Sequence, residues 1–236
     1  MKRRLLSFWR YFSLFERILW IGSLAGILVF HFLFANEGVF SLLASLLGVT
    51  AVLLCAKGNP LGQGLCIVFG VMYAIISYSY AYYGEMLTYA GMTVPMAVLS
   101  LVAWFRNPYG EGHSVVHVGR LARRDAVAAP LLTVLVSVAS FFVLRAFGTA
   151  NLAISTFSVT TSFLAVYLTY RRSPFFALAY AANDIVLVVL WLLATLEDSS
   201  YLSVVICFAI FLLNDIYGFI NWCHMEKRQN RPDRRE

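Results

Sequence analysis

Charge is what this sequence has least of. Asp, Glu, Lys and Arg make up 13% of its 236 residues, about half the share in a soluble domain. Hydrophobic residues reach 61%, more apolar surface than a single soluble core of this size can hide. A soluble globular fold is therefore excluded, whereas a bilayer accepts such a chain because lipid is itself the apolar phase. Cysteine is also sparse. Cys55, Cys66, Cys207 and Cys223 lie in or beside apolar runs with no Cys-x-x-Cys spacing, which excludes a disulfide framework and a zinc site and leaves them as small apolar side chains. No phosphate loop, dinucleotide fingerprint, nucleophile elbow or zinc motif occurs, so the chain reads as something other than an enzyme, with no cofactor. The basic start Lys2-Arg3-Arg4 leads into further charge and bulky rings, not into a small-residue cleavage site.

What remains is apolar length. Eight segments are long enough to span a bilayer, or nearly so: residues 18–35, 39–56, 61–83, 86–105, 126–147, 151–170, 174–194 and 201–222. The first is the shortest, and His31 interrupts it; that imidazole reads as a packed or pore-facing side chain. The expected fold class is all-α and integral to the membrane.

The basic residues test that count. With eight spans and both termini on one side, the N-terminal arm, Lys57, the stretch 106–124, Arg171-Arg172 and the tail carry 17 of the 18 Lys and Arg side chains on that side. Only Arg145 falls near the other, where the loops hold Glu37, Glu85, Glu197 and Asp198. Basic loops stay in the cytoplasm, so both termini are expected there, and the net charge of +6 is a topology signal, not a nucleic-acid surface. Leu5-Leu6-Ser7-Phe8-Trp9-Arg10-Tyr11-Phe12 mixes apolar bulk with Arg, as an interfacial helix would.

Two triplets of spans echo each other. Asn59-Pro60 opens the third span and Ser173-Pro174 the seventh, each after a basic residue; Trp104 closes the fourth and Trp222 the eighth. With one linking span between them the triplets run parallel, one way to build a carrier with a central site. The corresponding boundaries are residues 1–38 for an interfacial segment and extra helix, 39–105 for the first triplet, 106–147 for an inner loop and linker helix, 148–223 for the second triplet and 224–236 for a basic tail.

Ionisable groups at membrane depth are costly and so point to function. Asp184 and Asp215 stand inside the seventh and eighth spans, each after an asparagine, as Asn183-Asp184 and Asn214-Asp215. Helical spacing aligns Tyr180, Asn183, Asp184 and Trp191 on one face, and Asn214, Gly218 and Asn221 on another with Asp215 beside them. Tyr73 belongs to a stripe with Gln63, Gly70, Ser77 and Tyr80; Tyr89 to one with Thr93, Met96 and Ser100. The sixth span carries Ser155, Thr156, Ser158, Thr160, Thr161 and Ser162. Together these describe a pocket with aromatic walls and amide or carboxylate ends, suited to a flat, hydroxylated, neutral or cationic solute. The plainer reading of the Ser and Thr groups is glue between helices, and a third reading makes the two Asp residues ion-coupling sites. His113 and His117 make a weak metal pair, and Glu85 at an outer turn is expected to meet water.

Tyr82-Tyr83-Gly84-Glu85-Met86 with Thr88-Tyr89 and Gly91-Met92-Thr93, Ala181-Ala182-Asn183-Asp184-Ile185-Val186, and Asn214-Asp215-Ile216-Tyr217-Gly218-Phe219-Ile220-Asn221-Trp222 resemble the PnuC family of bacterial vitamin transporters over residues 39–223. The resemblance implies a three-plus-one-plus-three bundle like a duplicated SWEET transporter, an extra N-terminal span, and a homotrimer in the bacterial inner membrane. It implies nicotinamide riboside as substrate, facilitated diffusion, and trapping by a cytoplasmic kinase. One departure stands out: where many such carriers have Trp-x-x-Trp early in the seventh span, this chain reads Ala177-Leu178-Ala179-Tyr180. Relatives that differ there are associated with thiamine or deoxynucleosides, which remain alternatives.

Overall fold

The computed structural model describes residues 11–34, 39–79, 83–110, 114–149, 151–196 and 199–231. Residues 5–10 of the expected interfacial segment lie outside them, as do Glu37, Tyr80, Tyr82, His113, Glu197, Asp198 and the end of the tail. Among the described residues, eight helices are long and apolar enough to cross a membrane. They are α1 (Leu14–Phe34), α2 (Val39–Ala56), α3 (Pro60–Ser79), α4, α5 (Arg123–Ala146), α6 (Leu152–Tyr170), α7 (Phe175–Thr195) and α8 (Leu202–Gln229). Helix α4 is composite: Tyr83–Thr88, a π-helical turn Tyr89–Thr93, then Val94–Phe105. Among the described residues there is no strand, only one antiparallel bridge between Pro108 and Val116.

The helices begin and end where backbone chemistry allows. Ser13 and Glu16 cap α1 reciprocally, Ser13 N donating to Glu16 Oε2 at 2.6 Å and Glu16 N to Ser13 Oγ at 3.3 Å. Pro60 opens α3, where its missing N–H costs nothing. Gly58 has φ +68°, Arg172 φ +57°, and each reverses the chain between two spans. Helix α8 continues seven residues past Trp222 into the expected tail. Its extension is anchored: Val118 N donates to Gln229 Oε1 at 2.8 Å, and Gln229 Nε2 to Val116 O at 3.1 Å.

Lateral packing puts α7 against α6 and α8, α8 also against α1 and α2, and α4 against α3 and α6, with α5 lying along α6. Outward faces of α1 and α5 keep Leu14, Ile18, Phe32, Val127, Leu131 and Leu135 exposed, which is what lipid contact requires. Small residues let backbones approach: a Cβ on Gly62 would strike Cys55 N at 2.6 Å, and one on Gly70 would meet Val94 Cγ2 at 2.8 Å.

The two triplets meet at the end of the bundle that carries the basic loops. Trp104 Nε1, closing α4, donates to Thr169 O of α6 at 3.0 Å; Trp222 Nε1, in α8, donates to Cys55 O of α2 at 2.8 Å. Both indoles are fully buried, with centroids 5.3 Å apart, and Phe176 stands edge-on to Trp222 at 4.8 Å. The segment 115–119 runs beneath them, Val116 N donating to Gly58 O and Gly119 N to Arg172 O, each at 2.9 Å. Around this plug two acids are held alike. Glu16 of α1 pairs with Lys57 at 2.8 Å and accepts from Tyr217 Oη at 2.6 Å; Asp125 of α5 pairs with Arg171 at 2.6 Å and accepts from Tyr167 Oη at 3.0 Å.

Candidate substrate cavity

Above the plug lies a cavity of about 530 Å³, within the range that holds small-molecule ligands. It runs from Cys55, Gln63, Ser100, Thr169 and Phe176 at its deep end to Phe147, Gly148, Thr149, Asn151 and Tyr201 at the opposite end. Those outer residues belong to the loop after α5 and the turn before α8. The cavity therefore reaches the end of the bundle remote from the basic loops and is closed at the basic end by the Trp104–Trp222–Phe176 cluster.

Its walls follow from helix faces. Helix α3 presents Phe69 and Tyr73, and α4 presents Glu85, Tyr89 and Ser100. Tyr73 and Tyr89 have centroids 4.5 Å apart, and Phe69 adds a third ring 5.6 Å from Tyr73. Gly48 of α2 makes room for that group, since a Cβ there would touch Phe69 and Phe211 at 3.0 Å. Helix α7 contributes Tyr180, Asn183, Asp184 and Trp191, and α8 contributes Asp215. In the π-helical turn Val94 N bonds Tyr89 O, five residues back. Pro95 cannot supply the α-type bond to Gly91 O in any case, so the irregular turn sits where the ladder is already broken. Such turns concentrate at functional sites.

Asn183 Oδ1 accepts from Thr161 at 2.8 Å, Ser162 at 3.1 Å and Ser158 at 3.2 Å. The polar run of α6 thus holds the amide in place, while Ser137 and Thr160 join α5 to α6 at 2.7 Å. Asp184 is 4% exposed and its Oδ2 accepts no hydrogen bond. It lies within electrostatic reach of Asp215. Ser100 Oγ, 1% exposed, also has no protein partner. Buried polar atoms are normally satisfied; the Asp184 carboxyl is paired with that of Asp215, and Ser100 Oγ lines the cavity open to a solute.

Of the nine expected site residues, Tyr73, Tyr89, Tyr180, Asn183, Asp184, Trp191 and Asp215 line this one cavity. Two do not. Asn214 turns to α1, donating to Ser23 Oγ at 3.0 Å and to Ile210 O at 2.8 Å, and Asn221 donates to Ala56 O of α2 at 2.8 Å. Both amides tie helices together behind the wall. Ala177 is fully buried in the plug, away from the cavity. Glu85, expected only to meet water, lines the cavity beside Tyr89. It is an acid at the very start of an apolar span, and the rule that singled out Asp184 and Asp215 applies to it equally. Phe69, Phe208 and Phe211 gave no sequence signal, because apolar rings in a span look alike whether they face lipid or a cavity. His117 packs near Tyr109 and its backbone bonds Asn107; among the described residues no three His, Cys, Asp or Glu side chains converge on a metal position.

The chain matches the family model described as nicotinamide mononucleotide transporter over residues 38–224. It is 26% identical to the nicotinamide riboside transporter PnuC of Neisseria mucosa, covering 97% of this chain and 87% of that one. It is 19% identical to the nicotinamide riboside transporter PnuC of Haemophilus influenzae, over 98% and 97% of the two chains. Among solved structures it is similar to the vitamin B3 transporter PnuC, with a TM-score of 0.80, 22% identity and coverage of 93% and 94%.

Proposed function

From the premise that this chain belongs to the nicotinamide mononucleotide transporter family, as the match over residues 38–224 shows, and is a multi-pass membrane transporter, we propose that it imports nicotinamide riboside. The observation that carries this reading is the cavity itself: the rings of Tyr73 on α3 and Tyr89 on α4 share it with carboxylates from Asp184 on α7 and Asp215 on α8. A pyridinium ring stacks on the former and is balanced by the latter, and ribose hydroxyls find Asn183 and Tyr180. Relatives named as nicotinamide riboside transporters support the same substrate. Transport is by facilitated diffusion in the bacterial inner membrane, with both termini cytoplasmic, residues 39–105 and 148–223 acting as the two halves, and three copies assembled. Phosphorylation by a cytoplasmic kinase draws the substrate inward.

The test is uptake of labelled nicotinamide riboside into proteoliposomes, which should equilibrate and stop. Accumulation above the outside concentration under an imposed proton or sodium gradient would replace facilitation by coupling. The proximity of Asp184 and Asp215 favours that second reading. Saturable uptake of thiamine or thymidine in preference to nicotinamide riboside would move the substrate within the family. The Ala177-Leu178-Ala179-Tyr180 departure motivates that comparison, since Tyr180 lines the cavity whereas Ala177 is packed in the plug and lends it no ring.

A further inference from the structure

The cavity is lined by three acids, Glu85, Asp184 and Asp215, and by no Lys, Arg or His among the described residues. An acidic cluster alone would mean little, but here it is joined to aromatic faces and to Ser100 Oγ, a buried hydroxyl with no protein partner that lines the same cavity. Tyr89 packs against Tyr73 with centroids 4.5 Å apart and rings tilted by 41°, and it lies within electrostatic reach of both Glu85 and Asp184. Asp184 Oδ2 is buried and accepts no hydrogen bond. Glu85 is half-buried at the outer part of the cavity wall, and it and Ser100 line the cavity from either side of the π-helical turn in α4.

We propose that Glu85 is a specificity-determining residue: with Tyr89 and Asp184 it forms a cation-selecting subsite that admits solutes with a positively charged aromatic ring over uncharged analogues of the same shape. A carboxylate beside an aromatic face adds to the ring's own attraction for a cation. The low dielectric of the bundle interior strengthens both relative to water. An uncharged ring keeps the stacking and loses the rest. The same field disfavours anionic solutes, because no basic side chain on the lining offsets it. The proposal rests on the transport reading above, and deepens it by assigning charge discrimination to a particular side chain.

The experiment compares two solutes that differ by one hydride. Nicotinamide riboside carries a pyridinium cation; its 1,4-dihydro form is uncharged and nearly the same size. Initial uptake of each into proteoliposomes is measured for the parent, Glu85→Gln and Glu85→Asp, with melting temperature measured on the same preparations. The parent should favour the cation. Glu85→Gln should lower cation uptake roughly tenfold, the scale of one desolvated cation–aromatic–carboxylate contact, and leave the dihydro form within about twofold. Glu85→Asp should retain part of the preference. Equal loss of both solutes in a folded Glu85→Gln protein, or an unchanged ratio, would overturn the assignment while nicotinamide riboside transport stood. Thiamine, also a cationic ring, and thymidine, uncharged, separate the two readings. Charge-sensitive uptake of thiamine without nicotinamide riboside uptake would sink the proposed substrate and keep the role of Glu85. Preference for thymidine over both cations would end both.

Discussion

Neighbouring residues on one helix can have opposite duties, and the two Asn-Asp pairs show it. Asp215 faces the cavity, whereas Asn214, turned by one helical step, bonds Ser23 of α1. Asp184 and Asn183 both face inward, but the Asn183 carbonyl is held by three hydroxyls of α6. Substitutions should separate accordingly. A hydrogen bond to a charged group contributes about 1.5–3 kcal/mol, so Asp184→Ala should weaken substrate binding roughly 10- to 150-fold, with melting temperature near the parent's. Asn214→Ala should do the reverse, because the bond it loses joins helices: lower melting temperature, affinity within about twofold. Calorimetric binding and thermal unfolding of both variants check this together. Parent-like affinity in folded Asp184→Ala would put the cavity's polar contacts elsewhere. The sequence made the faces legible, since 3.6-residue spacing aligns Tyr180, Asn183 and Asp184. It did not say which neighbour each face meets, and the misplacement of Asn214 and Asn221 follows from that. A polar group at membrane depth must be satisfied, and a second helix satisfies it as well as a solute does.

At the scale of elements, span count was readable because apolar length is a strong signal, while the π-helical turn in α4 was not. Its single extra residue per turn depends on Pro95 breaking the ladder and on Gly70 letting α3 approach Val94. Deleting Gly91 should remove that extra residue, close the turn into regular α-helix and leave Glu85 in nearly the same angular register with Ser100. The shortened protein should keep its helix content by circular dichroism and bind substrate within about threefold of the parent. A loss of about tenfold or more would show that the wide turn itself, and not only the register of its flanks, shapes the site. The ends of α1 and α5 make a second case. Glu16 is buried and takes bonds from Lys57, Tyr217 and its own cap, so removing Lys57 leaves an unpaired buried acid. Lys57→Met should therefore cost about 1.5–3 kcal/mol of stability, and pairing it with Glu16→Leu should restore part of that. Thermal unfolding in one detergent across the two single variants and the double variant reads the difference. A double variant less stable than either single one would mean that the ion pair is not the interaction being removed.

For the whole molecule, the placement of charge bears on the direction in which the cavity opens. Lys57, Arg106, Arg171 and Lys227 sit at one end of the bundle, the end where Trp104, Trp222 and Phe176 close the cavity. The deep polar group of Gln63, Cys66 and Ser100 lies just above that plug, and Thr149 and Asn151 stand at the far end. If basic loops are cytoplasmic, this conformation is open to the outside and shut to the cytoplasm. The reciprocal indole bonds, α4 to α6 and α8 to α2, are then the contacts that must break for inward release. Sequence charge supplies an expected orientation, but no pattern in the sequence revealed which end is closed, because closure depends on rings from three helices meeting. A membrane-impermeant thiol reagent applied to intact cells tests both statements. With the native cysteines replaced, Thr149→Cys should label from outside. Lys227→Cys should label only after permeabilisation. Cys66, restored alone, should label slowly from outside and be protected by saturating nicotinamide riboside, because the solute fills the path between it and Thr149. Trp222→Ala should weaken the plug and let Cys66 react from the cytoplasmic side in inside-out vesicles. External labelling at Lys227→Cys would invert the topology, and labelling of Cys66 in the parent only from the cytoplasmic side would reverse the direction of opening.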